Sequence, residues 1–399
     1  MGTGDGMLAL VYDKARDDWD TTKGFRKVEV PRPVLAQESD PEDAASAIVK
    51  VIYSGVCGSD RGIWFRQSFK GMIFESLRAE KKTWRVIGHE MVGEIVAVGS
   101  YARSHYGFRE KDIVAAESHI ICGRCYQCRL GETHVCDDDR IIGISRDGCF
   151  AEYIKLPARV LWPTDDKKIS LKVAAVQEPF GNAVHACTKV DMRGRTVAVF
   201  GCGPIGLFTI LIARVLGASR VFGIEPDAQK REMAMTLGAD DVFAPAPAPA
   251  TPAGATGAAA SWSADRDVVK SLRAATGGIG VDVSVEMAGY NSSVNSAIHS
   301  VRRGGDVVLF GLKSGDFTIE AFDRLIVNGV TLHSVIGRQI FRTWYVTRGL
   351  LEDRSNGIQQ KIYDVILRGA TDTIVEADSF DPAAFEAKLI EYPKLLLKF

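Results

Sequence analysis

The chain has 399 residues, 46% of them hydrophobic, and a formal net charge of −1. That length suffices for two or three domains with real cores, and near-neutral charge without a Lys/Arg stripe argues against a nucleic-acid partner. No apolar run has the length of a membrane span, and the opening M-G-T-G-D-G-M-L-A-L lacks the basic and apolar regions of a signal peptide, which together predict a cytoplasmic protein with no membrane partner.

The first third carries short β-type runs broken by Gly and Pro: L-A-L-V-Y, A-I-V-K-V-I-Y, M-V-G-E-I-V-A-V-G and D-I-V-A-A-E. They predict a compact β-rich domain over residues 1–185. Within it Cys57 stands in V-C-G-S-D and His89 in V-I-G-H-E, with Glu90 next, and the stretch R-Q-S-F-K-G-M-I-F-E-S-L-R-A-E-K-K-T-W-R forms a loop between them. Cys122, Cys125, Cys128 and Cys136 follow with spacing C-x₂-C-x₂-C-x₇-C. Four thiols so spaced can enclose one Zn²⁺ in a tetrahedral all-sulfur shell with no open position, a structural site. Disulfide pairing is the alternative, and two-residue spacings strain it. The remaining cysteines do not form a secreted disulfide framework; Cys149, Cys187 and Cys202 read as packing residues.

Glu178 opens E-P-F-G-N-A-V-H. With Cys57 and His89 it completes a thiolate, imidazole and carboxylate set that leaves a fourth position open, which catalytic zinc requires. Asp60 can accept the other ring N–H of His89. Taken singly, Cys57 or His89 would read as a core residue, so their joint reading rests on the motifs around them.

Near residue 190 the pattern changes to alternating strand and helix, which predicts a parallel, doubly wound sheet over residues 186–330. T-V-A-V-F runs into G-C-G-P-I-G, with Gly201, Gly203 and Gly206 between a predicted strand and a predicted helix. Such glycines allow a tight turn and bring pyrophosphate to the helix N-terminus. Glu225 closes the next strand, where a carboxylate binds ribose hydroxyls and repels a 2′-phosphate, favouring NAD over NADP. Lys230 and Arg231 stand near enough to flank the adenosine or to be plain helix surface. The alternative for the whole loop is a Rossmann-like fold that binds something else. An Ala/Pro/Gly-rich insert over residues 244–261 reads as a solvated excursion. Residues 331–399, with T-W-Y-V-T-R-G-L-L as a helix and L-L-L-K-F as a strand, are expected to return to the first domain.

G-V-C-G-S-D, G-H-E-x-V-G-E-I-V-A-V-G, the four-cysteine lobe and G-C-G-P-I-G together resemble the zinc-dependent medium-chain alcohol dehydrogenases, over nearly the whole chain. Within that family E-S-H-I-I-C-G-R-C, D-G-C-F-A-E-Y, E-P-F-G-N-A-V-H and G-R-Q-I-F-R-T-W-Y are most similar to the L-threonine 3-dehydrogenase branch. The resemblance implies an α/β protein made of a GroES-like catalytic domain and a Rossmann domain, with NAD, a catalytic and a structural zinc, and a homo-oligomer, dimer or tetramer. It makes Cys57, His89 and Glu178 catalytic-zinc ligands, Glu90 an intermittent one, and the lobe cysteines the structural set. Ile205, Glu225, Lys230, Phe310, Gly311, Leu312, Val335 and Ile336 would touch NAD beside the glycine loop, and His119 would lie near substrate. Two departures stand out: Gly62 occupies the place of that branch's relay histidine, and the loop between Cys57 and His89 is longer. C-G-S-D-R is also similar to sugar and polyol dehydrogenases.

These features predict transfer of hydride from a secondary alcohol to NAD, with Ser59 leading the proton away and Asp60 and His119 assisting. L-threonine is the first substrate expected, and a sugar, polyol or cyclitol the alternative. Arg61, Arg66, Gln67, Lys70, Glu117 and Arg338 are candidate polar contacts for a hydroxyl-rich substrate. A non-catalytic dinucleotide-binding descendant and a zinc-ribbon nucleic-acid binder are the readings from other classes.

Overall fold

The apolar runs of the first third become strands that are buried over most of their length in one core. In the computed structural model, which describes residues 6–246, 262–312 and 316–399, these strands are β1 (Gly6–Asp13), β2 (Arg26–Pro31), β3 (Ser46–Val56), β4 (Trp84–Val86), β5 (Glu90–Val98), β6 (Ile113–Ala116), β7 (His119–Ile120), β8 (Arg140–Ile141), β9 (Tyr153–Pro157) and β10 (Leu161–Pro163). The chain then enters a parallel series, β11 (Thr196–Phe200), β12 (Arg220–Ile224), β13 (Asp241–Phe243), β14 (Val281–Glu286), β15 (Val301–Leu309) and β16 (Thr331–Ser334), before β17 (Ile374–Glu376) and β18 (Leu395–Lys398). Two compact units result: Met1–Pro179 with Arg348–Phe399, and Phe180–Thr347.

In the first unit one sheet runs β10-β6-β5-β3-β18-β17, with β9 also on β3, and a second runs β2-β1-β4. The last strand, β18, pairs antiparallel with the end of β3, Leu395 opposite Val56, so the start of that strand lies beside the residue before Cys57. Their core includes Tyr12, Trp19, Phe25, Trp64 and Phe150. The stretch between Cys57 and His89 is not an open loop. It forms the helices Gly58–Trp64 and Lys70–Ala79, the second burying Ile73 and Leu77 completely. Burial of two such side chains is worth about 3–6 kcal/mol, enough to hold the added helix on the core. The fully buried guanidinium of Arg85 bonds to Ser76 and pairs with Glu80 and Asp147, closing its far end.

The second unit holds a six-stranded parallel sheet in the order β13-β12-β11-β14-β15-β16. β16 at Thr331–Ser334 belongs to this sheet, so the parallel series continues past residue 330, and the first unit resumes at Arg348. V-A-V-F in β11 is buried throughout, as suits a strand covered on both faces. The helix Pro204–Val215 starts on a proline, whose fixed φ suits the first helical turn. Gly206 is required by close approach: a Cβ there would lie 1.9 Å from the carbonyl oxygen of Gly201, itself at φ +92°. Most of the 244–261 insert lies outside the described residues; at its base Ala246 N–H donates to Asp265 Oδ2 at 2.6 Å.

Candidate metal centres and dinucleotide edge

Cys57 caps the helix Gly58–Trp64, and its N–H donates to Asp60 Oδ2 at 2.8 Å. The other oxygen, Oδ1, lies 3.6 Å from His89 Nδ1. On the other side of the ring, Nε2 of His89 lies 3.4 Å from Ser59 Oγ. Ligand-capable atoms of Cys57, His89 and Glu90 all lie within 4.8 Å of one another. Glu178, in the first turn of the helix Gln177–Cys187, is outside that set; its Oε1 accepts from Ser118 Oγ at 2.7 Å.

Electrostatics fit these residues to a cation. Burial works against protonation of His89, but the charges of Asp60, Cys57 and Glu178 outweigh it and hold the imidazole up at about 10. Burial pushes Asp60 up to about 6, against the pull of His89 and the Cys57 N–H. Several anionic groups therefore share one buried space around one imidazole. Among the described residues, Glu90 Oε1 is buried without a hydrogen-bond donor, an expensive state that a metal ion would relieve.

Glu90 also has a partner that no spacing in the sequence announces. Lys394 Nζ donates to Glu90 Oε2 and, at 3.0 Å, to the carbonyl of Val56. Burial disfavours its ammonium, yet Glu90 and Cys57 raise Lys394 above the usual lysine range.

The four lobe thiols converge, their sulfurs within 4.8 Å of one another, and all eight cysteines are free. Cys125 and Cys136 are 3.9 Å apart, well beyond the ~2 Å of a disulfide. Backbone N–H groups point at sulfur: Cys122 N to Cys136 Sγ at 3.3 Å, Cys125 N to Cys122 Sγ at 3.3 Å and Cys128 N to Cys125 Sγ at 3.5 Å. The N–H groups of Cys128 and Asp137 pull Cys125 down to about 6, whereas burial pushes Cys128 up to about 12. Thiols this close cannot all ionise unaided, and a dication is the charge that would let them.

The lobe is the loop of a hairpin between β7 and β8, with His119 opposite Ile141. At its base His119 Nδ1 pairs with Asp139 Oδ2, and Ile142 N–H donates to the Ser118 carbonyl at 3.0 Å. Ser118, which holds Glu178, therefore sits beside the residue that Asp139 holds. Asp139 and Ser118 were not singled out from sequence; D-D-D after Cys136 has the look of a solvated charge run.

The polar candidates for a substrate mouth have structural occupations. Arg61 donates to the Leu389 carbonyl at 2.9 Å, and Arg66 donates to the carbonyls of Ile63 and Gly24 and lies over Tyr12. Lys70 pairs with Asp20 and Glu117 accepts from His119 N–H, whereas at Gln67 it is the backbone N–H, not the side chain, that donates to the Gly62 carbonyl. Arg338 is buried and donates to Asn182 Oδ1 at 2.8 Å.

On the second unit the dinucleotide candidates gather at the carboxyl ends of the parallel strands. Gly201, Gly203, Ile205 and Gly206 follow β11, and Glu225 follows β12, buried, with Oε2 accepting from Cys202 N–H at 2.8 Å and Oε1 from Asp227 N–H at 3.1 Å. Lys230 lies in the first turn of the helix Ala228–Leu237. Phe310, Gly311 and the exposed Leu312 leave β15, while Val335 and Ile336 leave β16, Val335 N–H donating to the Leu309 carbonyl at 2.9 Å. Carboxyl ends of an open parallel sheet are where nucleotides bind. Sequence reasoning missed Glu286 here: buried at the end of β14, it accepts from the N–H groups of Ala288 and Gly289 and from Ser293 Oγ, while its carbonyl takes Phe310 and Gly311.

Residues 43–166 match the model of the alcohol dehydrogenase GroES-like domain, and residues 204–352 that of zinc-binding dehydrogenase. The chain belongs to the zinc-dependent medium-chain alcohol dehydrogenases and is an oxidoreductase; zinc and NAD are the cofactors typical of that family. More particularly, the L-threonine 3-dehydrogenase of Caldanaerobacter subterraneus is 34% identical over 319 residues, 80% of this chain and 83% of that protein. That of Pyrococcus horikoshii is 33% identical over 326 residues, 82% and 83% of the two chains. An alcohol dehydrogenase from Thermotoga maritima shares the fold with a TM-score of 0.77 at 21% identity, covering 99% of this chain and 100% of that one. Among the described residues no helix is long and apolar enough to cross a membrane.

Proposed function

We propose that this chain oxidises the secondary alcohol of L-threonine with NAD, giving 2-amino-3-oxobutanoate and NADH. The observation that carries the reading is the cluster of half-buried Cys57 with buried His89 and Glu90, with Glu178 close enough for its charge to act on His89. Cys57, His89 Nε2 and Glu178 would hold the catalytic zinc, with Glu90 as an intermittent ligand, and the lobe cysteines would hold the structural one. When bound, zinc supplies a Lewis acid that lowers the pKa of the substrate hydroxyl, and NAD supplies the hydride acceptor. Asp60, with Oδ1 3.6 Å from Nδ1, would accept the other ring N–H of His89. Ser59 Oγ, 3.4 Å from His89 Nε2, would accept the hydroxyl proton as it releases its own toward the cofactor ribose and solvent, or to His119. His119, held by Asp139, assists at the substrate. Glu225 binds the adenosine ribose and excludes a 2′-phosphate, and the protein works as a cytoplasmic homo-oligomer.

One observation favours a sugar, polyol or cyclitol instead. A Cβ at Gly62 would meet Ser68 Oγ at 2.9 Å and Ser68 Cβ at 3.0 Å, so the added segment crowds the position where that branch carries its relay histidine. A screen of NAD and NADP reduction with L-threonine, L-serine, aldoses, polyols and inositols separates the readings. L-threonine with NAD is expected to be fastest; reduction by a polyol but not by threonine moves the substrate, and no reduction by any alcohol overturns the enzyme assignment.

A further inference from the structure

A recess of about 610 Å³ lies on the second unit where strand β15 begins, at the opposite end of the sheet from the glycine loop and Glu225. Its charged lining is four arginines, Arg273, Arg302, Arg303 and Arg324, with no carboxylate among them. Two are fixed by the fold. Arg302 Nε donates to Asp282 Oδ1 at 2.6 Å, and Arg273 donates to the carbonyls of Gly278 and His299 at 3.4 and 3.1 Å. The other two are exposed, and among the described residues neither side chain has a hydrogen bond or an ion pair.

Asp282 neutralises Arg302 in an ion pair at 2.6 Å, so among the described residues the lining arginines without a paired carboxylate are Arg273, Arg303 and Arg324. Asp282 also accepts from Thr196 N–H and Oγ1, and Asp306 takes Arg195 and His333, each at 2.8 Å. Arginines at this end of a parallel α/β sheet are ordinarily explained by helix C-terminal carbonyls, as Arg273 is. That explanation does not reach Arg303, which lies on a strand. The exposed side chains of Ile279 and Val327, 64% and 72% accessible, add apolar surface beside the guanidiniums.

Two anchored guanidiniums and two uncommitted ones in a recess of ligand size form a preorganised receptor for a small anion bearing several phosphates, since each planar fork matches two phosphate oxygens. We propose that this recess is a second binding site, separate from the dinucleotide edge, for a di- or triphosphate. The proposal does not depend on the substrate or the activity of the enzyme.

Isothermal titration of the full-length protein, held in saturating NAD so that the dinucleotide edge is filled, tests it with two probes, inorganic pyrophosphate and ADP. One site per chain is expected for at least one probe. Charge-assisted bonds from two arginines predict about a hundredfold or greater weakening in the double variant Arg303→Glu/Arg324→Glu, whose unchanged thermal unfolding shows that it is folded. The control Arg193→Glu, on an exposed arginine paired with Asp191, should bind as the parent does. Equal affinity for the two probes makes the anion alone the ligand, and tighter ADP binding makes it a nucleotide resting on Ile279 and Val327. Absence of both probes at millimolar concentration, equal binding by the double variant, displacement by equimolar sulfate or competition with NAD would each overturn the site.

Discussion

Lys394 and Glu90 form an ion pair in which the two side chains are 1% and 0% exposed. The pair joins the last strand to the candidate catalytic cluster, because β18 begins beside Lys394 and lies against the end of β3, one residue before Cys57. A buried pair of this kind contributes little net stability when intact but is costly to break from one side. Lys394→Met should therefore destabilise the first unit by about 3–5 kcal/mol, read from denaturant unfolding. The double variant Lys394→Met/Glu90→Gln should recover much of that loss, since it removes the stranded charge. An unchanged unfolding midpoint in the single variant would show that the pair does not bear on stability.

Cys57→Ser and Glu178→Ala test the ligand set. Loss of a Lewis acid worth several kcal/mol in the transition state predicts a fall in kcat of about a thousandfold or more. NAD binding, whose candidate residues lie on the other unit, should persist, as should the thermal transition. Full turnover in either variant would refute the assignment.

The lobe should behave differently. Cys128→Ser removes one of four thiols whose charges only a metal reconciles, so metal analysis should show one zinc fewer per chain than the parent. The melting temperature should drop by about 5 °C or more. A variant with parental zinc content and melting temperature would contradict a structural site.

Asp139 holds His119 through Nδ1, which leaves Nε2 as the ring atom turned away from that partner. Asp139→Asn should lower kcat/KM about tenfold through loss of a charge-assisted bond that sets the ring, with zinc content unchanged. Asp139→Glu should restore most of the loss. If Asn and Glu variants both match the parent in kcat and in KM, the pair has no part in turnover.

The 61–85 stretch marks the border of what could be read from sequence. Its length was evident, and Phe69, Ile73 and Leu77 stand at helical spacing, but that signal is short and lies among Lys, Arg and Glu; the core that Ile73, Phe74 and Leu77 meet holds the helix Lys70–Ala79 in place. The same limit applied to Arg66 and Lys70, which looked available for substrate and instead serve Gly24, Tyr12 and Asp20.

What the sequence by itself determined is local. Four cysteines within fifteen positions mark a candidate metal shell by their spacing, three glycines between a strand and a helix mark a candidate phosphate turn, and the alternation after residue 190 defines a parallel sheet. Each depends on neighbours along the chain, so backbone geometry translates it directly. Only the tertiary structure decided which distant groups meet: Lys394 with Glu90, Asp139 with His119, Ser118 with Glu178, and Arg303 and Arg324 around one recess. Those pairings follow from strand order and hairpin closure, and a charged residue carries no periodicity that would reveal its partner.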